Sequence, residues 1–365
     1  MNYKIYQWKI QPKSSFVSKI KSNIILGHVI WAMKYIYGED KLQEVLDDFS
    51  SGNAPFIFSN GFVDGYLPFF KNKTLSDDVV IEQLAYEKLI SKSENKYRIK
   101  RRVYSCVIDR LDNIKYIPEK VFNDLRNGLT AKEILNDILK SKRFPESLLK
   151  VDINIKGNIL KYVNNKKKYI DENKVEVIEN YVDEDYTIKN SINRILNTTD
   201  KEGNSLYTLN ETYYKKPINI FVKVREDIDI DMLKKSFKYI ESTGFGKKSS
   251  TGKGAFETIS FEEATCFDRP YEGNHFVVLS TYIPKVGDYE KAVSTNISCY
   301  KGKISGEYAT RNNVFKKPIM CFEEGSLFKG KPLDNKGKLV FEINEDKDIF
   351  QCGIPFVVGV TINEK

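Results

Sequence analysis

Apolar positions along the chain alternate between the spacing of strands and that of helices. Residues 3–10 have the two-residue period of an opening strand, and residues 24–37 have the spacing of a helix. Residues 231–243 form a second amphipathic helical pattern, and Gly244 stands where a glycine would end that helix. The segment 255–261 that follows is rich in aromatic and β-branched residues and predicts a strand. This order is compatible with a β-α-β-β-α-β unit whose second half lies far downstream.

Other segments complete the predicted architecture. The helix over 24–37 is apolar on more than one side, which predicts that it is packed. Its two stripes are Ile24, His28, Trp31 and Tyr35, and Ile25, Val29, Ala32 and Ile36. A more charged helix is expected over 39–50, a largely helical insertion near 70–145 with its clearer helices at 77–92 and 130–141, and short strands at 275–283 and 356–362.

Composition limits the class of protein. With 365 residues, 41% of them hydrophobic, the chain is long enough for two medium-sized domains. It contains no apolar run long enough for a membrane span, and its N-terminus lacks the apolar segment of a secretion signal. Five cysteines without a C-x-x-C pair favour a reduced, cytoplasmic protein. The net charge of +8, with basic clusters at 1–21 and 96–102, is suited to attracting phosphate backbones.

The loop 244–254, with the sequence GFGKKSSTGKG, is richest in candidate chemistry. It combines four glycines, three lysines and three hydroxyl residues without an acid. Glycines let backbone N–H groups approach a ligand, and lysines and hydroxyls supply charge and donors, so the loop is suited to phosphates. It is not a nucleotide P-loop, because Gly254 follows Gly252-Lys253 and the loop leads from helix to strand. The alternative interpretation is a flexible turn in a lysine-rich protein.

This loop resembles the glycine-rich signature of the RAMP superfamily of CRISPR systems. Further motifs, in their order and spacing, resemble the Cas5-like RAMP subunit of the type III-A (Csm) effector complex over most of the chain, except residues 70–150. These motifs are PKSSF at 12–16, SNIILGHVIWA at 22–32, PFIFSNG at 55–61, GYLP at 65–68, KNSINR at 189–194, SLY at 205–207, LSTY at 279–282, FEEGS at 322–326 and GIPFVVGV at 353–360.

The resemblance implies an α+β fold with two ferredoxin-like (RRM-like) RAMP domains, a helical insertion and a thumb-like hairpin. The first domain would comprise 1–70 and 151–265, with the thumb near 180–206. The insertion would span 71–150, and the second, β-rich domain 266–365. The resemblance also implies a subunit without a catalytic role or cofactor. Such a subunit binds the repeat-derived 5′ tag of a CRISPR RNA, and its partners are the large polymerase/cyclase-like subunit and the backbone RAMP subunit of an antiviral interference complex.

Three segments would form the RNA-binding surface: the loop after the first strand with the early helix, the thumb and the glycine-rich loop. Arg194 is the best single candidate, because a guanidinium can bind phosphate bidentately and stack on bases; a surface ion pair with Asp183 or Asp185 is its alternative. Phe16 and Phe245 are candidate stacking platforms, and Tyr207 is a weaker one. The full predicted set is Lys13, Ser14, Ser15, Phe16, Lys19, His28, Lys189, Asn190, Asn193, Arg194, Gly244, Phe245, Gly246, Lys247, Lys248, Ser249, Ser250, Thr251, Gly252, Lys253 and Gly254.

Two alternatives stay open at this level. His28 could be the general base of a metal-independent endoribonuclease that processes precursor CRISPR RNA, although its apolar surroundings favour a structural or RNA-facing role. A general nucleic-acid-binding protein unrelated to CRISPR is a weaker possibility. The acidic run 183–185 could bind a metal for nuclease chemistry, but its position in the thumb-like segment argues against it, and the two histidines and scattered cysteines predict no metal site.

Overall fold

The computed structural model describes residues 2–70, 115–128, 151–154, 159–162, 181–190, 192–193, 198–199, 206–304, 306–310, 313–332, 336–345 and 349–362. Within these ranges the helices are α1 Ser22–Tyr37, α2 Glu39–Ser50, α3 Glu119–Arg126 and α4 Ile230–Thr243. The strands are β1 Tyr3–Pro12, β2 Phe56–Val63, β3 Tyr66–Pro68, β4 Tyr116–Pro118, β5 Val151–Asn154, β6 Ile159–Tyr162, β7 Val182–Asn190, β8 Ile192–Asn193, β9 Thr198–Thr199, β10 Leu206–Tyr214, β11 Ile218–Arg225, β12 Phe256–Glu263, β13 His275–Val278, β14 Ala292–Ser294, β15 Ile297–Tyr300, β16 Ile319–Phe322, β17 Leu327–Lys329, β18 Leu339–Val340, β19 Gln351–Cys352 and β20 Val357–Val360.

The first sheet is antiparallel and has the strand order β12-β1-β11-β2. The elements along the chain are β1-α1-α2-β2 and then, more than 150 residues later, β11-α4-β12. The downstream half therefore contributes one central and one edge strand to the same sheet. Trp8 of β1 stacks on Phe237 of α4 with ring centroids 4.0 Å apart, so α4 packs on the face of the sheet that this tryptophan occupies.

Helix α4 begins and ends where the sequence indicates. The Asp229 carboxylate caps it by accepting the backbone N–H of Asp231 across 2.9 Å. Gly244 follows the helix with φ of 80°, and its N–H donates to the carbonyl of Ile240 across 2.8 Å. The buried face of α4, which includes Phe237, packs into the core. Because α4 ends at Thr243, it sets where the glycine-rich loop begins.

Helix α1 is packed less completely than its sequence predicts. In one stripe Ile25, Val29 and Ala32 are fully buried, but Ile36 at its end is 37% exposed. The stripe through His28 stays partly accessible, and Tyr35 on it is 49% exposed. The helix is therefore packed as predicted over most of one stripe, whereas the last turn of both stripes is exposed.

A second antiparallel sheet has the order β14-β17-β13-β20. It meets the first sheet where the backbone N–H of Asn60 in β2 donates to the carbonyl of Leu279 across 2.8 Å. Glu324, on the turn before β17, reinforces this junction by accepting Asn60 Nδ2 at 2.7 Å and Lys21 Nζ at 2.9 Å. The chain is thus an α+β protein with mainly antiparallel sheets; a second ferredoxin-like domain with the bounds 266–365 stays a prediction.

The segment 181–214 supplies a two-stranded hairpin of β7 and β10, with Lys189 opposite Tyr207 and Asp185 opposite Glu211. In the region predicted as a largely helical insertion, the described residues include α3 and also a strand, β4, which pairs with β3 and β6. The helices predicted at 77–92 and 130–141 and the basic cluster at 96–102 lie outside the described residues. No helix in the described ranges is long and apolar enough to cross a membrane.

Candidate nucleic-acid interface

The glycine-rich loop is a closed turn between α4 and β12. Its base is pinned by the Phe245 N–H, which donates to the Gly254 carbonyl across 2.9 Å. Gly254 has φ of 68°, and a Cβ at this position would overlap the Phe245 carbonyl oxygen. Lys248 takes the left-handed conformation with φ of 69°, and a single 3₁₀ turn over Ser249–Thr251 follows it. These bends direct the middle of the loop away from the protein.

Two side chains from the N-terminal segment hold the loop in place. The Gly246 N–H donates to His28 Nε2 on α1 across 2.9 Å, and the Lys247 N–H donates to Ser18 Oγ across 2.8 Å. Loop and helix are thereby joined although they lie more than 200 residues apart. Lys19, the residue after Ser18, is exposed and adds a lysine from the N-terminal segment to the three of the loop.

The next three backbone amides of the loop are unpaired. Within the described residues, the N–H groups of Lys248, Ser249 and Ser250 have no acceptor, whereas those of Thr251, Gly252 and Lys253 donate back into the turn. The side chains of Lys247 and Ser250 are exposed beside them. Successive N–H groups that begin at a left-handed residue form a concavity suited to an anion.

His28 is neutral in this setting. Its Nε2 accepts the Gly246 N–H, and burial lowers its pKa to about 4. Its ring packs against Phe245 with a centroid separation of 4.8 Å. A histidine whose Nε2 lone pair is already engaged by a backbone donor is poorly placed to take a proton from a ribose hydroxyl through that nitrogen. The geometry therefore favours the structural role over the general base.

The expected exposure of Phe16 and Phe245 is wrong. Their side chains are 1% and 4% exposed, and their rings pack together at 6.1 Å. Phe16 also meets Tyr214 edge-on at 5.6 Å, and it forms a β-bridge with Thr212 of the hairpin. Both rings are core residues under the loop and not platforms for bases, because contacts distant in sequence give them a packing role that their local sequence hides.

The hairpin brings two further predicted side chains to the loop. Tyr207 is 40% exposed, and Lys248 Nζ lies 3.5 Å from its hydroxyl and 5.6 Å from its ring centroid. Lys189, directly opposite Tyr207 in the register, is exposed, as is Asn190. Asn193 is described only as part of β8, and Arg194 lies outside the described residues, so its predicted role stays untested.

The residues after β1 mainly hold the glycine-rich loop in place by hydrogen bonds, and few of them add to the exposed surface around it. Ser14 Oγ accepts the Ala255 N–H across 2.9 Å, and the Ser15 carbonyl accepts the Gly254 N–H across 2.8 Å. Lys13 is exposed and forms an ion pair with Glu257 at 2.7 Å.

A buried carboxylate organises this region, and sequence reasoning missed it. Glu211 of β10 is 1% exposed and accepts Lys253 Nζ at 2.5 Å, Ser15 Oγ at 2.6 Å and Tyr213 OH at 3.1 Å. The hydrogen bonds from Lys253 and Ser15 lower its pKa to about 2. The only local signal of its burial in the sequence is that it lies two positions after Leu209, on the same face of the strand.

The acidic run in the hairpin has a different environment. Asp183 forms an ion pair with Lys215 at 2.8 Å. In the part of the chain that the structure describes, no group of three His, Cys, Asp or Glu side chains is arranged to hold a metal ion.

Comparisons with known proteins give the fold. No protein-family model and no curated protein sequence matches the chain. Solved structures do match: a chain from a crystal structure of a Csm3-Csm4 subcomplex of the type III-A CRISPR-Cas interference complex aligns with a TM-score of 0.58 and 15% identity, over 97% of this chain and 98% of that one. A chain from a crystal structure of a Csm1-Csm4 cassette in complex with pppApA aligns with a TM-score of 0.51 and 16% identity, over the whole of both chains.

These alignments show that the chain has the fold of a subunit found in type III-A CRISPR-Cas complexes. Csm4 is the subunit that both matched complexes contain, so the resemblance to the Cas5-like RAMP subunit of the Csm complex, predicted from the sequence motifs, is confirmed at the level of the fold.

Proposed function

We propose that this chain is a non-catalytic subunit of a type III-A RNA-guided interference complex, in which it binds the repeat-derived 5′ tag of the CRISPR RNA. The observation that carries the proposal is the group of three backbone amides at Lys248, Ser249 and Ser250, which have no acceptor among the residues that the structure describes and have Lys247 beside them. Such a group of amides can bind a phosphate of the RNA backbone. Phosphate contacts hold an RNA strand in position without reading its bases.

The surrounding side chains extend this phosphate site into a surface. Lys247 and Lys19 are exposed, and the Lys247 N–H donates to Ser18 Oγ, the residue before Lys19. Lys248 Nζ lies 3.5 Å from the hydroxyl of Tyr207 in the hairpin, and Lys189 lies opposite Tyr207. Lysines neutralise the backbone, and a tyrosine ring 40% exposed can stack on an unpaired base. Phosphates would run across the loop, and one base would rest on Tyr207.

The other parts of the proposal rest on the fold alone. The hairpin of β7 and β10 would be the predicted thumb, and the second sheet would belong to a second ferredoxin-like domain. The large polymerase/cyclase-like subunit and the backbone RAMP subunit would dock on this chain, as expected for a subunit with the fold found in Csm1-Csm4 and Csm3-Csm4 complexes. We assign no catalytic residue, because His28 Nε2 is engaged by the Gly246 amide.

Co-purification of RNA tests this function. The chain would be purified from cells that express a CRISPR array, and the 5′ ends of its bound RNA would be sequenced for the wild type and for Lys247→Ala/Lys248→Ala. We expect one shared repeat-derived 5′ end, depleted in the double variant. The matched control is Lys41→Ala/Lys234→Ala, which removes two exposed helix lysines engaged in ion pairs with neighbouring acids. Bound RNA of random sequence from the wild type would contradict the proposal.

A precursor incubated with the purified chain should stay uncut. Cleavage that disappears in His28→Ala would instead support the endoribonuclease.

A further inference from the structure

We propose that the buried Glu211–Lys253 ion pair fixes the hairpin against the glycine-rich loop, and that Lys253 is a positioning residue and not an RNA ligand. This inference rests on the proposed function for its RNA readout, but its structural part stands by itself. It separates Lys253 from Lys247 and Lys248, which the sequence presents as equivalent.

The ion pair joins three segments that are distant in sequence. Glu211 belongs to the hairpin, Lys253 to the end of the glycine-rich loop and Ser15 to the loop after β1. Lys253 Nζ lies 2.5 Å from the Glu211 carboxylate and 2.9 Å from Ser15 Oγ, and Ser15 Oγ donates to the same carboxylate oxygen across 2.6 Å. Thr187 Oγ1, on the partner strand β7, donates to the other oxygen across 3.2 Å. Both strands of the hairpin are therefore tied to this one carboxylate.

Burial makes the pairing obligatory. Glu211 is 1% exposed and the Lys253 side chain 26%, so neither charge has full access to water. A buried ion pair that loses one partner leaves an uncompensated charge, whereas replacing both partners by neutral groups removes that penalty. The adjacent residue, Thr212, exchanges two backbone hydrogen bonds of 2.8 Å with Phe16, so displacement of Glu211 would loosen the attachment of the hairpin.

The ion pair also bears on the position of Lys248, the lysine of the loop that contacts Tyr207 of the hairpin. Lys253 turns inward to Glu211, while Lys248 at the other end of the 3₁₀ turn reaches Tyr207 on the same strand as Glu211, four residues away. Strand β10 thus contacts the loop through two pairs of residues, the buried pair Glu211–Lys253 and the more exposed pair Tyr207–Lys248. Because the buried pair fixes β10 against the loop, it determines where Tyr207 lies, and hence where a stacked base would lie relative to the phosphate site.

The test compares single and double variants of the full chain. Lys253→Met and Glu211→Gln would be made separately and together, with Lys253→Arg as the conservative variant and Lys234→Met as the control. The first readout is hydrogen exchange at the backbone amides of Phe16 and Thr212. We expect protection to fall about tenfold or more in each single variant and to return to within about threefold of the wild type in the double variant and in Lys253→Arg.

The second readout is the affinity for a labelled CRISPR RNA that carries the host repeat tag, measured as a function of salt. We expect Lys253→Met to weaken binding with an unchanged salt slope, and the double variant to recover most of the affinity. If Lys253 contacts a phosphate, the slope of log affinity against log salt falls by about 0.7 both in Lys253→Met and in the double variant, and the double variant does not recover its affinity for RNA. That result would overturn the inference. If the wild type binds no tagged RNA, the proposed function fails, and the exchange measurement alone decides whether the ion pair positions the hairpin.

Discussion

The backbone N–H of Gly246 donates to Nε2 of His28 across 2.9 Å, and this bond joins the glycine-rich loop to the first helix. It requires a neutral imidazole with a free Nε2 lone pair, and burial lowers the pKa of His28 to about 4 accordingly. Protonation of His28 would place a donor against a donor. The conformation of the loop is therefore coupled to pH through His28.

We predict that His28 makes folding stability depend on pH between about 4 and 6.5. Its pKa is lower in the folded than in the unfolded state, so the unfolded chain binds more protons in this window and stability is lost as pH falls through it. Urea unfolding at pH 7 and pH 5 should show a smaller pH dependence for His28→Gln, by up to about 2 kcal/mol, than for the wild type. An equal dependence in both proteins would mean that His28 is not buried as a neutral group.

Replacing Lys247 and Lys248 by alanine should weaken RNA binding and reduce its salt dependence. Each lysine that neutralises one phosphate of a single strand contributes about 0.7 to the slope of log affinity against log salt, so the double variant should lose about 1.4. The measurement is fluorescence anisotropy with tagged CRISPR RNA at several salt concentrations. An unchanged slope would show that neither lysine neutralises a phosphate.

Gly254→Ala should destabilise the protein and disorder the loop. The residue has φ of 68°, and an added Cβ would overlap the Phe245 carbonyl oxygen, so we expect a loss of about 2–4 kcal/mol in thermal or urea unfolding. The matched control is Gly27→Ala in α1, where nothing lies within 4 Å of the added Cβ. That substitution should stabilise the helix by about 0.5–1 kcal/mol. Equal stability of the two variants would contradict the closed geometry of the loop.

The junction of the two sheets should depend on Lys21 more than on other lysines of the N-terminal segment. Lys21 pairs with Glu324 at 2.9 Å, and the two side chains are 17% and 16% exposed. Lys21→Met leaves Glu324 without a counter-charge and should cost about 2 kcal/mol of unfolding free energy. Lys13→Met removes a pair with Glu257 in which both side chains are more than half exposed, and should cost less than about 1 kcal/mol. Similar losses of unfolding free energy in both variants would mean that the burial of the Lys21–Glu324 pair does not make it more important for stability than the exposed Lys13–Glu257 pair.

Local patterns predicted local structure well. The capped, amphipathic helix α4 and its terminal Gly244 follow from apolar spacing and glycine conformation, which act within a few residues. The predicted closeness of the thumb and the glycine-rich loop came instead from the family resemblance, and the contact of Lys248 with Tyr207 agrees with it.

Contacts between distant segments could not be read from the sequence. Phe16 and Phe245 look out of place in basic, glycine- or serine-rich loops, yet both are buried because the hairpin and α1 cover them. Lys253 resembles its neighbours Lys247 and Lys248, but it pairs inward with Glu211. Ser15 and Glu211, which share that site, are 196 positions apart, and one sequence contains no signal that links them.

The most direct measurement is photo-crosslinking of a tagged CRISPR RNA that carries 4-thiouridine in its 5′ tag, followed by identification of the crosslinked peptides. The account predicts crosslinks to the peptides that contain Lys247, Lys248 and Tyr207, and their loss in Lys247→Ala/Lys248→Ala. Crosslinks of the tag confined to other parts of the chain, with none to the glycine-rich loop or the hairpin, would contradict it.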